Sequence, residues 1–246
     1  MRIHVTGATG YLGSELVGLA PNASTERVDV RDSAAVSELF VRLRPEAVIH
    51  TAYRQDGPDA RGINVEGSRN VARAAAWVDA RLVHLSTDVV FCGRCREGRY
   101  VESDAPCPAT EYGATKAEAE EAVQEAHPGG LIVRTSLIYR GSTPSKHERA
   151  AHDPSLTFYT DEIRTPVHVR DLARALLELA ALDVSGPLHV AGPDAVSRLE
   201  FAELVARRPL RGAPAPDDRP LDCALDSSRA QAMIRTRLRG VREVLS

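Results

Sequence analysis

Apolar and polar positions along this chain switch repeatedly between two periods. Short, mostly apolar runs, "RIHVT", "ERVDV", "EAVIHTA", "RLVHLST" and "GLIVRTS", read as buried strands. Between them lie longer stretches with helical spacing: "GYLGSELVGLA", "SAAVSELFVRLR", "NVEGSRNVARAAAWV" and "ATKAEAEEAVQEA". Each sets Ala, Leu or Val on one face, which core packing explains without a ligand. Strand and helix in alternation predict a parallel sheet covered on both faces, an α/β Rossmann-type doubly wound fold. Helix "RDLARALLELAAL", strand "PLHVAG" and helix "RLEFAELVARR" continue the pattern. Two stretches break it: residues 140–156 are polar and irregular, and residues 208–222 are rich in proline and charge. We read them as parts of a small C-terminal substrate lobe interleaved with the sheet. The dinucleotide-binding domain then covers residues 1–139 plus roughly 165–192, and the lobe roughly 140–164 and 193–246.

Composition narrows the partners. The 246 residues carry a net charge of −3, so no surface calls for nucleic acid or membrane. The chain lacks an apolar run long enough for a membrane span, and "MRIHVTG" enters a strand directly. A cytoplasmic protein with a small-molecule substrate, monomer or homodimer, is expected. Among the four cysteines, Cys92 and Cys95 have C-x-x-C spacing, with Cys107 as a possible third ligand. A fourth ligand would have to be a distant histidine, so reduced loop cysteines and no metal are expected. His4, His50, His84 and His189 fall in or at the ends of strands and His168 precedes a helix. They lack metal-ligand spacing and read as packed, hydrogen-bonded side chains.

Three segments carry chemistry. In "VTGATGYLGSEL", Gly7, Gly10 and Gly13 lie where the first strand hands over to the first helix. Glycine there lets the backbone turn tightly and approach a pyrophosphate, whose charge meets a helix N-terminus. A second segment, Ser86, Thr87 and Asp88, closes the strand "RLVHLST", at the end where ligands gather in open α/β sheets. A hydroxyl there holds a substrate oxygen or caps a turn. The third is Tyr112 and Lys116, one helical turn apart. The chain has only two lysines, Lys116 and Lys146, among 31 basic residues. With six tyrosines the Y-x-x-x-K spacing arises by chance in roughly one such chain in twenty. The pair is either a solvated helix face, with Lys116 near glutamates, or a proton-transfer pair in which the ammonium favours the phenolate.

The order "TGATGYLG", "HTAY", "NVEGSRNVARAA", "LSTDVVF", "YGATK", "IVRTSLIYRG" and "VHVRDLARAL" resembles an extended short-chain dehydrogenase/reductase. With "STDVVF" and the late "RPLDCALDSSRAQAMI", it is most similar to the dTDP-4-dehydrorhamnose reductases. The resemblance covers nearly the whole chain. It implies Thr87, Tyr112 and Lys116 as catalytic, in NAD(P)H-dependent reduction of a ketone, namely the 4-keto group of a nucleotide-activated deoxysugar. Tyr112 would give its proton to the ketone, Thr87 would bond the same oxygen, and Lys116 would hold the nicotinamide ribose and keep Tyr112 acidic. Gly7, Gly10, Tyr11, Leu12 and Gly13 would wrap the pyrophosphate. Asp29 and Val30 would lie near adenine, Ala52 and Tyr53 under the cofactor, and Ser86 beside it. Asp88, Val89 and Arg164 would face the substrate, Arg164 at its diphosphate or else in a surface salt bridge. Asn64 is structural in this scheme.

The pattern also departs from the family. Too few residues separate the first helix from "VDVRD" for a full second strand, which normally ends in the residue that separates NAD from NADP. Glu26 and Arg27 offer one charge of each sign, so NADP(H) or NAD(H) is expected, with a lean to NADP(H). A dehydratase would want a second acid after Asp88, where Val89 stands. An epimerase, or a nucleotide-binding regulatory subunit without turnover, uses the same frame.

Overall fold

The computed structural model describes residues 1–94, 98–140 and 143–246. In chain order the elements are β1 (Ile3–Thr6), α1 (Tyr11–Leu19), α2 (Ser33–Leu43), β2 (Ala47–His50), a π-helical turn (Gly62–Gly67) leading into α3 (Ser68–Trp77), and β3 (Arg81–Thr87). A 3-10 turn (Asp88–Val90), α4 (Glu111–Ala126), β4 (Leu131–Thr135), β5 (Ile138–Tyr139), α5 (Lys146–Ala150), β6 (Phe158–Tyr159) and β7 (Ile163–Arg164) follow. The rest comprises β8 (Val167–His168), α6 (Val169–Leu179), β9 (Gly186–His189), β10 (Val196–Ser197), α7 (Arg198–Ala206), β11 (Gly212–Ala213), α8 (Ser228–Met233) and α9 (Val241–Leu245).

The main sheet is parallel throughout, in the order β1-β2-β3-β4-β9. Alternation along each strand splits the core in two. Val5, Ile49, Val83 and Val133 pack on one side against Leu16 of α1 and Leu172 and Leu176 of α6. Val48, Leu82 and Ile132 pack on the other against Phe40 of α2, Val71 of α3 and Val123 of α4. Every residue of β2 and β4 is buried, as parallel strands covered on both faces require. The α/β doubly wound reading therefore holds.

One strand of the reading is absent. "ERVDV" forms no ladder, and on the edge away from β2, β1 meets an isolated bridge between His4 and Ser24. The chain from Ala20 to Arg31 must leave α1, pass β1 and enter α2 in few residues. It spends its alternating positions elsewhere: Val28 and Val30 pack into the α2–α3 layer, and Glu26 pairs with Arg42. The stretch 140–156 is also more regular than its polarity suggests. It contains α5, started by a capping box in which Ser145 and Glu148 each accept from the other's backbone N–H.

Small sheets carry the C-terminal part: β10 with β7, β11 with β6, and β5 with β8. Cys95 lies outside the described residues, while Cys92 and Cys107 bring their Sγ atoms to 3.3 Å. Among the described residues no helix is long and apolar enough to cross a membrane.

Candidate active site

The carboxyl ends of β1, β2, β3 and β4 open into a cleft of about 600 Å³, closed from above by residues of α5, β7 and α7. At one end is the glycine loop. Gly7 has φ +68°, and a Cβ there would stand 2.8 Å from Ala52 N. Gly13 packs its Cα face on the loop, with a would-be Cβ 2.8 Å from Ala8 Cα. These contacts let α1 start directly at the strand end. Its N-cap, Gly10, has no side chain to cap the helix, and no acid occupies the first turn. Gly10 N–H closes the loop onto Gly7 O at 2.9 Å, and the first turn of α1, with Leu12 and Gly13, borders the cleft, an arrangement suited to an anionic group. Tyr11 reaches across the cleft to donate to Glu148 Oε2 of α5 at 3.3 Å.

At the other end, β3 delivers Ser86, Thr87 and Asp88, all lining the cleft. Ser86 Oγ is turned down onto Glu120 Oε1 at 2.5 Å, and Glu120 is held in turn by Arg134. Thr87 keeps its hydroxyl at the surface of the cleft, donating weakly to Asp88 Oδ1 at 3.2 Å. Asp88 is buried beside Ser136 Oγ at 2.5 Å and Arg164 Nε at 3.6 Å. Burial pushes its carboxyl up, against the pull of Arg164 and Ser136.

Tyr112 and Lys116 project from the first two turns of α4. Thr110 accepts from Gly113 N at 3.1 Å and starts that helix at Glu111, three residues ahead of "ATKAEAEEAVQEA". Burial raises the Tyr112 phenol well above its usual value, and Tyr53, whose ring is 6.0 Å away, and Asp88 push the same way. This corrects the expectation that Lys116 keeps the phenol acidic. Lys116 is fully buried along its stem and spends its amine on β3, donating to Leu85 O at 2.8 Å, with His84 Nε2 at 3.3 Å. Desolvation lowers its pKa to about 8, with Glu120 opposing. The solvated-face alternative for this lysine is thereby excluded.

Arg164 is no surface ion pair. Its Nη1 donates to Ile163 O and Leu221 O at 2.6 Å each, and its Nη2 to Pro220 O and Glu162 Oε1 at 3.1 Å. Those donors are committed to the loop 220–221 and to Glu162, so little remains for a ligand. Arg198, at the start of α7, differs: its Nη2 meets His147 Nδ1 at 3.1 Å, while its buried Nη1 has no partner. Arg219 stands on Glu162 at 3.0 Å, and Lys146 reaches Gln55. All of these line the cleft.

The cleft therefore gathers Gly10, Tyr11, Leu12, Gly13, Tyr53, Ser86, Thr87, Asp88, Val89, Tyr112, Lys116 and Arg164. Gly7 and Ala52 lie just beneath, shaping the loop. Asp29 and Val30 do not line it: Asp29 is chelated by Arg31 at 2.7 Å, and Val30 is a core residue. Asn64 holds Arg54 N and O and Thr115 Oγ1, a bracing role. Sequence reading missed Arg198, Arg219 and Lys146 as residues of the cleft. Nothing in their local patterns marks them, because each reaches the site from an element distant in the chain.

Residues 1–246 match the profile of the RmlD substrate binding domain. The dTDP-4-dehydrorhamnose reductase of Mycolicibacterium smegmatis is 34% identical, over 99% of this chain and 84% of its own. Methionine adenosyltransferase 2 subunit beta of Bos taurus is 30% identical, over 94% of this chain and 82% of its own. The crystal structure of dTDP-4-dehydrorhamnose reductase from Bacillus anthracis in complex with NADP superposes with a TM-score of 0.86 at 28% identity, covering 99% and 96% of the two chains. With the glycine loop, the strand-end Ser-Thr-Asp and the tyrosine–lysine pair all in one cleft, this chain belongs to the dTDP-4-dehydrorhamnose reductase family of extended short-chain dehydrogenases/reductases.

Proposed function

We propose that the protein is an NAD(P)H-dependent reductase of a nucleotide-activated deoxysugar, acting on its 4-keto group. The observation that carries this is one continuous cleft running from an uncapped helix N-terminus to the half-buried Tyr112, one helical turn from the buried Lys116. The residues present fit a dinucleotide: the Gly7 turn and the open N-terminus of α1 take the pyrophosphate, Tyr53 flanks it, and Lys116 holds the nicotinamide ribose. When bound, that cofactor supplies a hydride. Tyr112, a phenol that carries its proton at neutral pH, donates that proton to the carbonyl oxygen. Thr87 gives the same oxygen a second hydrogen bond and orients the carbonyl toward Tyr112. Asp88 and Val89 line the sugar side, and the unspent Nη1 of Arg198 reads the diphosphate in place of Arg164. In this reading residues 140–164 and 193–246 form the substrate lobe, and the five-stranded sheet with its helices carries the cofactor.

A second reading, a non-catalytic subunit of another enzyme, is favoured by the reduction of the second strand to one bridge and by the likeness to methionine adenosyltransferase 2 subunit beta. Titration with NADH and NADPH, followed by cofactor fluorescence and then by oxidation with nucleotide-bound 4-keto sugars, separates the two. Binding with turnover supports the reductase; binding without turnover of any such ketone moves the subunit to first place.

A further inference from the structure

His84 sits directly behind Lys116. It lies inside β3, fully buried, two residues before the Ser86–Thr87 strand end. Its Nε2 is 3.3 Å from Lys116 Nζ, and its Nδ1 has no hydrogen-bond partner. The ring packs 5.3 Å from that of His50, its cross-strand neighbour in β2. His50 has both nitrogens engaged, by Thr6 Oγ1 at 2.6 Å and Ser68 Oγ at 3.1 Å. An ammonium carries three donors and no acceptor. Leu85 O takes one at 2.8 Å, and a neutral His84 offers Nε2 to the second. The third is left for the cleft that Lys116 lines. Burial, Lys116 and His50 all hold the imidazole well below its usual range, so it is neutral and able to accept.

We infer that His84 is a positioning residue for Lys116: it accepts one ammonium N–H from behind the strand, so that another is aimed into the cleft. The inference rests on the reading above, in which that donor meets the nicotinamide ribose. It requires the Nδ1–H tautomer, with the Nε2 lone pair facing Lys116. That choice leaves a buried N–H unpaired, an arrangement that packing alone does not favour. The other groups facing Lys116 are Glu120 one turn on in α4, tied to Arg134 and Ser86, Tyr112 one turn back, and His50 behind His84. Among the described residues, Glu120 is the carboxylate that raises the pKa of Lys116. Replacing His84 by leucine therefore leaves a buried ammonium short of an acceptor and favours its loss of a proton to solvent.

Two measurements test this. Nitrogen-15 NMR of the protein alone at neutral pH should find His84 as the Nδ1–H tautomer; an Nε2–H tautomer overturns the inference, because the ring would then donate to a neutral amine. This needs no variant, so a poorly folding His84→Leu protein does not shield the idea. In the second, NADPH affinity is titrated from neutral to alkaline pH in wild type, His84→Leu, His84→Gln and Lys116→Met. Wild type should lose affinity through a step that Lys116→Met abolishes. His84→Leu should bring that step to lower pH, with about tenfold weaker binding at the wild-type midpoint. The amide oxygen of His84→Gln should restore most of the difference. A step absent in Lys116→Met but unmoved in His84→Leu overturns the role of His84 and leaves the proposed function standing. Failure of wild type to bind NADPH or NADH overturns the cofactor reading instead, and the tautomer still decides the contact with Lys116.

Discussion

Glu120→Gln removes the charge from a buried ion pair at the floor of the site. Arg134 of β4 and Glu120 of α4 meet at 2.8 Å, with Arg134 Nε at 3.1 Å from both carboxylate oxygens, and their side chains are 3% and 6% exposed. The remaining partners of the guanidinium are weak: Glu102 O at 3.5 Å and the Phe91 ring at 5.1 Å. Breaking one half of a buried pair costs about 3–5 kcal/mol, because the other charge stays desolvated. That is a large fraction of the roughly 5–15 kcal/mol that stabilises a domain. The urea midpoint should fall at unchanged slope, and the thermal midpoint should drop by roughly 6–20 °C. The double variant Glu120→Leu/Arg134→Leu should recover most of the loss, since an apolar pair leaves no charge unpaired. If Glu120→Gln loses less than about 1 kcal/mol, water reaches this pair and the burial argument is wrong.

Other outcomes follow from the same geometry. Gly7→Ala should destabilise by about 1–3 kcal/mol and lose cofactor affinity, since φ is +68° and the new Cβ meets the Ala52 backbone; denaturation and fluorescence titration check both, and an unaffected variant contradicts the loop account. Arg198→Met should raise KM for the nucleotide-sugar about 10–100-fold, the worth of a charge-assisted hydrogen bond, with little change in stability. Arg164→Met should do the reverse, losing about 3–5 kcal/mol because Glu162 and Asp88 lose their buried partner. Lys116 has its pKa lowered from 10.5 to about 8 in the fold. Between those values the unfolded chain binds more protons, so stability should rise with pH through this window. The gain is of order 3 kcal/mol, should be absent in Lys116→Met, and is read from urea midpoints at neutral and alkaline pH.

The sheet was legible because strand and helix periods alternate cleanly, and "RLVHLST" matches β3 residue for residue. "ERVDV" misled because alternation records which side chains pack inward, and Val30, with the partly buried Val28, packs against α2 and α3 without a ladder. Tyr112 and Lys116 were legible because their partnership is local, four residues apart on one helix. The fate of the lysine's amine was not, since it depends on His84 and Leu85, which sequence places some thirty residues away. Arg164 drew attention only through the family resemblance, which implies a guanidinium at the substrate diphosphate. Only the loop 220–221 closing over it reveals that its donors are spent, and that the neighbouring Arg198 is the one with a donor to give.

The central claim is that Tyr112 delivers the proton in a ketone reduction. It is tested most directly by following NADPH oxidation with a nucleotide-bound 4-keto-6-deoxysugar in wild type and Tyr112→Phe, with thermal midpoints measured alongside. Loss of a positioned general acid should reduce kcat by about 10²–10⁴-fold while the variant stays folded. Full turnover by Tyr112→Phe would contradict the account.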